Sequence, residues 1–272
     1  MKRIMSNVIS LFVVVIVLFL IIPLPTFMLD FLLIVNIGLS ILILMITMNI
    51  AEPLEFSIFP SLLLVTTLFR LGLNVSTTRW ILSNGGNAGT VIKAFGELIT
   101  SGNVVIGVVI FMIIVLVQFI VITKGAERVA EVAARFTLDA MPGKQMAIDA
   151  DLSSGLINEQ EAKVRRYKIQ KEADFYGAMD GATKIVKGDA IMSLLITIIN
   201  FVGGVIIGMV SGGGDFNTVL NTYSIATIGD GLVSQLPALM ISTATGMIVT
   251  RAVSDGSLNT DVIKQFKAQP RA

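Results

Sequence analysis

The chain has 272 residues, 54% of them hydrophobic and 14% charged, with a formal net charge of +1. This balance points to a polytopic membrane protein and supplies no excess of positive charge for a nucleic-acid partner. Cysteine and histidine are both absent, which excludes a disulfide framework, a zinc site of the usual kind and Cys-His or Ser-His-Asp catalysis.

In chain order, Lys2 and Arg3 precede an apolar run that continues into "IIPLPTFML" without a small-residue cleavage site. The first segment is therefore read as a retained helix and not as a signal peptide. Crossing the hydrocarbon core takes roughly 20 apolar residues. Clean spans are predicted at 8–24, 27–50, 104–122, 190–210 and 232–250, and a sixth at 56–82 is interrupted by Arg70 and Arg79. Six spans place both termini on one side. Seventeen of the 20 Lys and Arg residues fall on that side, which the positive-inside bias makes the cytoplasm. The expected outer connections are "PLPT", "SNGGNAGTVIKAFGELITSGN" and "SGGGDFNTVLNTYS".

Between spans four and five, residues 124–187 carry eleven cations and ten carboxylates, too many to stay in lipid. Val129, Val132, Ala133 and Phe136 recur at helical spacing and predict one apolar stripe. Glu131, Arg135 and Asp139 stand four apart, a ladder contributing roughly 0.2–0.5 kcal/mol per pair on an exposed helix. The tripeptide "MPG" at 141–143 is expected to end this helix. Asn158 is expected to cap a second helix, with Glu161 at the capping-box position, running to about Met179. The alternative is a merely solvated loop. Phosphate-loop chemistry fails at "PGKQ", where the spacing puts Leu138 in place of the first glycine and no Ser or Thr follows Lys144. "DADLSSGLINEQ" opens like a calcium loop but has Ser154 and Gln160 at the sixth and twelfth positions. No active site is expected here.

Residues 128–151, "RVAEVAARFTLDAMPGKQMAIDAD", resemble the signature of the FHIPEP family, the export-gate proteins of flagellar and virulence type III secretion systems. The likeness extends through "QFIVITKGAERV", "DFYGAMDGATKIVKGDAI", "TIGDGLVSQLPALMISTATGMIVTR" and "FRLGLNVSTTR". "DFYGAMDGA" is closer to the flagellar branch than to the injectisome branch. The resemblance implies a non-enzymatic gate in the bacterial inner membrane, moving unfolded substrates with the proton motive force. It also implies a homo-oligomeric ring, contacts with other membrane components of the apparatus, and no cofactor. Beyond "KQFKAQPRA" it implies two more spans and a large cytoplasmic domain, so a chain ending at Ala272 is expected to be the shortened membrane part of such a gate.

The expected fold is thus an all-α polytopic membrane protein. It has about six transmembrane helices with a small cytoplasmic helical insert between spans four and five. Residues 1–123 hold four spans, 124–187 the insert, 188–251 two more spans, and 252–272 a cytoplasmic tail.

Ionisable residues inside spans are costly and default to function. Asp189 opens span five, and its helical neighbours Ile185, Val186, Met192 and Ser193 include no cation. Asp230 enters span six with Ala226, Thr227, Val233 and Ser234 around it, Arg70 sits mid-span, and Asp30 near the outer end of span two is likewise alone. Each must pair across helices, face water or accept a proton. For Arg70 an inter-helix ion pair weighs as much as a role in transport, and for Asp189 and Asp230 a solvated anchor stays open. The resemblance implies that Asp189 is proton-linked, and places Arg70, Arg79, Lys184 and Asp230 at matching positions, with Arg128, Arg135 and Asp139 as insert contacts. The coupling ion is a proton or sodium. Gly204 and Gly208 form a GxxxG pair read as helix packing. The rival function is a stand-alone proton or cation transporter using the same charges. Such transporters usually carry an internal repeat, and this sequence shows none.

Overall fold

A computed structural model describes residues 2–212, 215–251, 263, 264 and 266–268. The tail expected at 252–272 lies outside these residues apart from 263, 264 and 266–268. The helices are α1 (Lys2–Ile21), α2 (Thr26–Asn49), α3 (Phe59–Ser83), α4 (Thr90–Thr100), α5 (Val104–Ile120), α6 (Glu127–Ser153), α7 (Glu159–Gly212) and α8 (Phe216–Val249). A 3₁₀ turn at Pro53–Phe56 precedes α3, and a π-helical turn at Val121–Ala126 joins α5 to α6. No strand occurs among the described residues. Four helices, α2, α3, α7 and α8, are long and apolar enough to cross a membrane; the bent α4–α5 pair is a fifth candidate, and α1 contributes the apolar stretch Leu11–Ile21. The chain is an all-α polytopic membrane protein.

The span with the weakest apolar signal is largely buried inside the bundle. Helix α3 buries Thr66, Thr67, Arg70, Asn74, Ser76 and Thr77 along with Phe59, Leu63, Phe69 and Leu73. Its polar residues face other helices, so lipid hydropathy is the wrong measure of it. Hydroxyls at Thr66 and Thr67 return to carbonyls one turn back, at 2.9 Å from Leu62 and 2.6 Å from Leu63, which satisfies them within the helix. Gly72 brings the backbone of α1 close at Ile16.

Helix α8 corrects the sixth span. It begins at Phe216 and runs 34 residues, about 51 Å at 1.5 Å per residue. The stretch expected as the outer connection "SGGGDFNTVLNTYS" is therefore helical from Phe216 onward, and Asp230 lies in the middle of the helix, not at its mouth. The apolar window missed these turns because they are lined with Tyr223, Ser224, Thr227 and Gly229, all buried against protein. Gly204 and Gly208 of α7 lie under the Tyr223 ring of α8, as the packing reading of that pair expects.

The other outer connection also holds a helix. In place of a polar loop, α4 packs on α8 and turns by 100° into α5. Gly229 of α8 faces the Ile92 carbonyl of α4, and Gly96 of α4 faces the Ile225 carbonyl of α8, so a side chain at either would collide with backbone. Asp30 of α2 is not alone. Its carboxylate accepts from the Thr90 and Val91 amides at 2.9 and 3.0 Å and from the Thr90 hydroxyl at 2.7 Å, capping the first turn of α4.

The insert is a helical hairpin, with two corrections. Helix α6 does not stop at "MPG" but continues through Pro142 to Ser153. Proline leaves the Leu138 carbonyl without its helical donor; Leu138 and Pro142 are both exposed, so solvent can take that place. The helix ends instead at Gly155, φ +73°, where Leu156 N–H bonds Asp151 O at 3.0 Å and Gly155 N–H bonds Leu152 O at 3.2 Å. The capping box forms as read: the Glu161 amide donates to Asn158 Oδ1 at 2.8 Å, and the Asn158 amide to Glu161 Oε2 at 3.2 Å. The second correction is its length. Helix α7 does not end near Met179 but runs unbroken for 54 residues, about 81 Å, through the insert and the fifth span. Gly181 and Gly188 weaken it without breaking it, since Met179, Ala182 and Val186 are buried on the same face.

The buried positions of α6 are Ala130 and Ala134 near its start and Ile148 near its end, with Ala133 partly buried beside the first two. Phe136, expected in the apolar stripe, is 71% exposed, and Val129 is exposed as well. Small side chains allow the start of α6 to lie close to α7, and Val129 and Phe136 turn outward there. Ala130, Ala134, Phe175, Met179 and Val186 join Phe59, Leu63, Ile241 and Ile248 in one cluster, so the base of the insert shares its core with the spans.

Candidate ion-coupling site

Arg70 of α3 and Asp189 of α7 form an ion pair through Nη2 and Oδ2. Arg70 is 2% exposed and Asp189 6%. Local sequence explains the placement. Arg70 is flanked one turn back by Thr66 and Thr67 and one turn on by Asn74, which makes a polar stripe along the buried side of α3. Asp189 follows Gly188 at the point where α7 leaves its charged half. A cavity of about 20 Å³ adjoins the pair, lined by Arg70, Gln118, Asp189, Ser193, Ser234 and Gln235, so that α3, α5, α7 and α8 all contribute polar groups.

A second buried carboxylate stands on α8, four residues before the cavity-lining Ser234. Asp230 is 3% exposed, and its Oδ2 accepts from Asn200 Nδ2 of α7 at 2.8 Å. Ser234, one turn along α8, lies 2.7 Å from Asn74 Oδ1 and 2.8 Å from the Asp230 carbonyl. Thr77, one turn beyond the Asn74 side of α3, reaches the Asn74 carbonyl at 3.0 Å. The polar groups of α3 thus run from Arg70 through Asn74 to Thr77 and connect the surroundings of the two aspartates.

Not every residue singled out in sequence joins this site. Arg79 is exposed and donates to the Ile21 carbonyl at 3.0 Å, a cation at the C-terminus of α1. It lies nine residues from Arg70 on the same helix, about 13 Å along the axis. Lys184 is exposed on the insert and pairs with Asp180 at 2.7 Å. That hydrogen bond and the Asp180 charge raise its pKa above the ordinary lysine value. Lys187 pairs with Glu127 at 2.9 Å, tying the start of α6 to α7. Neither lysine is an ion-pair partner of Asp189.

On the insert, Arg128, Arg135 and Asp139 are all exposed. The Glu131–Arg135–Asp139 ladder does not form, because Glu131 pairs with Arg128 at 2.8 Å. The hairpin is closed instead by Lys144–Glu172 at 2.9 Å, Arg165–Asp151 at 3.2 Å and Arg166–Asp149 at 2.5 Å. Sequence reasoning missed the uncharged members of the site: Asn74, Gln118, Asn200, Ser234 and Gln235. A signal was present for two of them, since Asn74 and Ser234 stand four residues after Arg70 and Asp230.

Comparison with known proteins supplies the context. The FHIPEP family model matches residues 16–272, nearly the whole chain. The chain belongs to the FHIPEP family. It is 59% identical over 259 residues to the flagellar biosynthesis protein FlhA of Bacillus subtilis, covering 95% of this chain and 38% of that protein. Identity to FlhA of Caulobacter vibrioides is 57% over 265 residues, 96% of this chain and 38% of the relative. The low calcium response locus protein D of Yersinia pestis is 53% identical over 259 residues, 94% and 37%. No solved structure matches. This FHIPEP chain therefore spans under two fifths of the length of the relatives it matches.

Proposed function

We propose that this chain is the membrane region of an export-gate subunit in a flagellar type III protein export apparatus, a secretion component and not an enzyme. It lies in the bacterial inner membrane with its N-terminus in the cytoplasm. As a homo-oligomeric ring, alongside other membrane components, it moves unfolded substrates with the proton motive force. The observation that carries this reading is the buried Arg70–Asp189 pair on a helix that runs without a break into the cytoplasmic insert. A charge change at Asp189 bears directly on the rod that holds one arm of the hairpin. That is a route for coupling an ion to movement of the insert, offered on geometry. Asp230 is the second ion-linked carboxylate in this scheme, Arg70 its neighbour across Asn74, and Lys184 and Arg79 flank the site at the two membrane faces.

A chimera tests the function. Residues 1–272 replacing the matching region of FlhA in a motile host should restore secretion of flagellar subunits. A chimera that is present in the membrane at normal level and secretes nothing would overturn the reading.

The exposed cations of α6 are proposed to contact neighbouring subunits. Arg135→Glu in the full-length protein should reduce crosslinked oligomer and export while membrane insertion is unchanged. Unaltered crosslinking and export in that variant would remove Arg128, Arg135 and Asp139 from the subunit contact.

A further inference from the structure

Four buried polar atoms beside the ion pair have no hydrogen-bond partner among the described residues: Nε and Nη1 of Arg70, Oδ1 of Asp189 and Oε1 of Gln235. All three residues line the same cavity of about 20 Å³. A water molecule needs roughly 10–15 Å³ of such space and two to four polar partners. The unmatched atoms divide into donors on Arg70 and acceptors on Asp189 and Gln235. Water complements both kinds of atom, since it can donate to the two acceptors and accept from one edge of the guanidinium. A metal cation would face the guanidinium and find too little room for its six or more oxygen ligands. An anion would face the carboxylate.

We propose that this cavity is a buried-water site, and that Gln235 is the positioning residue that holds the water against Asp189 Oδ1. Water donates to Asp189 Oδ1 and Gln235 Oε1 and accepts from the Arg70 guanidinium. The backbone of α8 at Gln235 is tied to α5. Its backbone carbonyl accepts from Gln118 Nε2 of α5 at 2.8 Å. Two residues on, Pro237 lies inside α8 and supplies no amide to the Val233 carbonyl, which loosens the helix's own ladder beside this bond to α5. The proposal deepens the ion-coupling reading and rests on it for its role in export: a proton arriving at or leaving Asp189 has this water as its first carrier.

The site and its role are tested separately in the full-length protein in lipid. Water-edited solid-state NMR reads magnetisation transfer from water to the Asp189 carboxyl carbon. Early transfer is expected in the wild type and is expected to be lost in Gln235→Leu, which removes the acceptor. It should also be lost in Ser193→Val, which fills the cavity from α7 and leaves all four polar atoms in place. If one variant does not fold, the other carries the measurement. Absence of transfer in the wild type, or equal transfer in a folded variant, would overturn the water site. Export is measured in the same variants with oligomer assembly as control, and loss of most of the rate is expected. Lost transfer with normal export would overturn the role of Gln235 in coupling while the water site stands. Normal export by Asp189→Asn would instead strike the coupling reading itself.

Discussion

Replacing Asp189 by Asn in the full-length protein is expected to abolish substrate export with oligomer assembly intact, while Asp189→Glu keeps partial export. Asn preserves the size of the side chain and one oxygen that accepts from Arg70, but it cannot take up or release a proton. It also leaves the guanidinium buried without a counter-charge, and breaking a buried pair costs about 3–5 kcal/mol. Folded yield therefore has to be measured beside export. Glu retains the exchangeable proton. Its extra methylene intrudes on a cavity of about 20 Å³, and overpacking of this kind costs about 1–3 kcal/mol, hence the partial function. Secretion of subunits into the medium, normalised to gate protein in the membrane, is the measurement. An Asn variant that secretes at the normal rate would leave Asp189 as an anchor for Arg70 and nothing more.

The residues that disclosed most in sequence were the charged ones, because a charge among apolar residues is rare enough to stand out and must be met by something. Arg70 and Asp189 were each visible as lacking a partner on their own helix. Their meeting was not legible, since 119 positions separate them and only the packing of α3 on α7 brings them together. The capping box at Asn158 and Glu161 was readable for the opposite reason: both of its bonds are local. Lengths failed where tertiary packing decided them. Hydropathy sees lipid-facing turns, so it shortened α8, whose N-terminal half is buried against other helices. A local breaker was likewise overruled in α6, where Pro142 lies on an exposed turn. The stripe Val129, Val132, Ala133 and Phe136 had helical spacing, but only Val132 and Ala133 are partly buried, while Val129 and Phe136 are exposed. Close approach to α7 selected the small residues Ala130 and Ala134, a preference that hydrophobicity alone does not record.

The Arg70→Ala variant is expected to lose about 3–5 kcal/mol of stability, because Asp189 is left buried without its partner. Thermal unfolding in detergent and the yield of folded protein measure it, and a normal unfolding temperature would show that Arg70 contributes no such energy. The informative partner is the double variant Arg70→Met with Asp189→Leu. Removing both charges and filling their volume with apolar side chains is often neutral or stabilising in buried ion pairs, so its unfolding temperature is expected to return to near the wild-type value. If the pair existed only to hold α3 to α7, export would return with it. Under the coupling reading export stays lost, because an apolar contact joins the helices and carries no proton. Recovery of stability without recovery of secretion would assign the charges to transport, and recovery of both would assign them to packing.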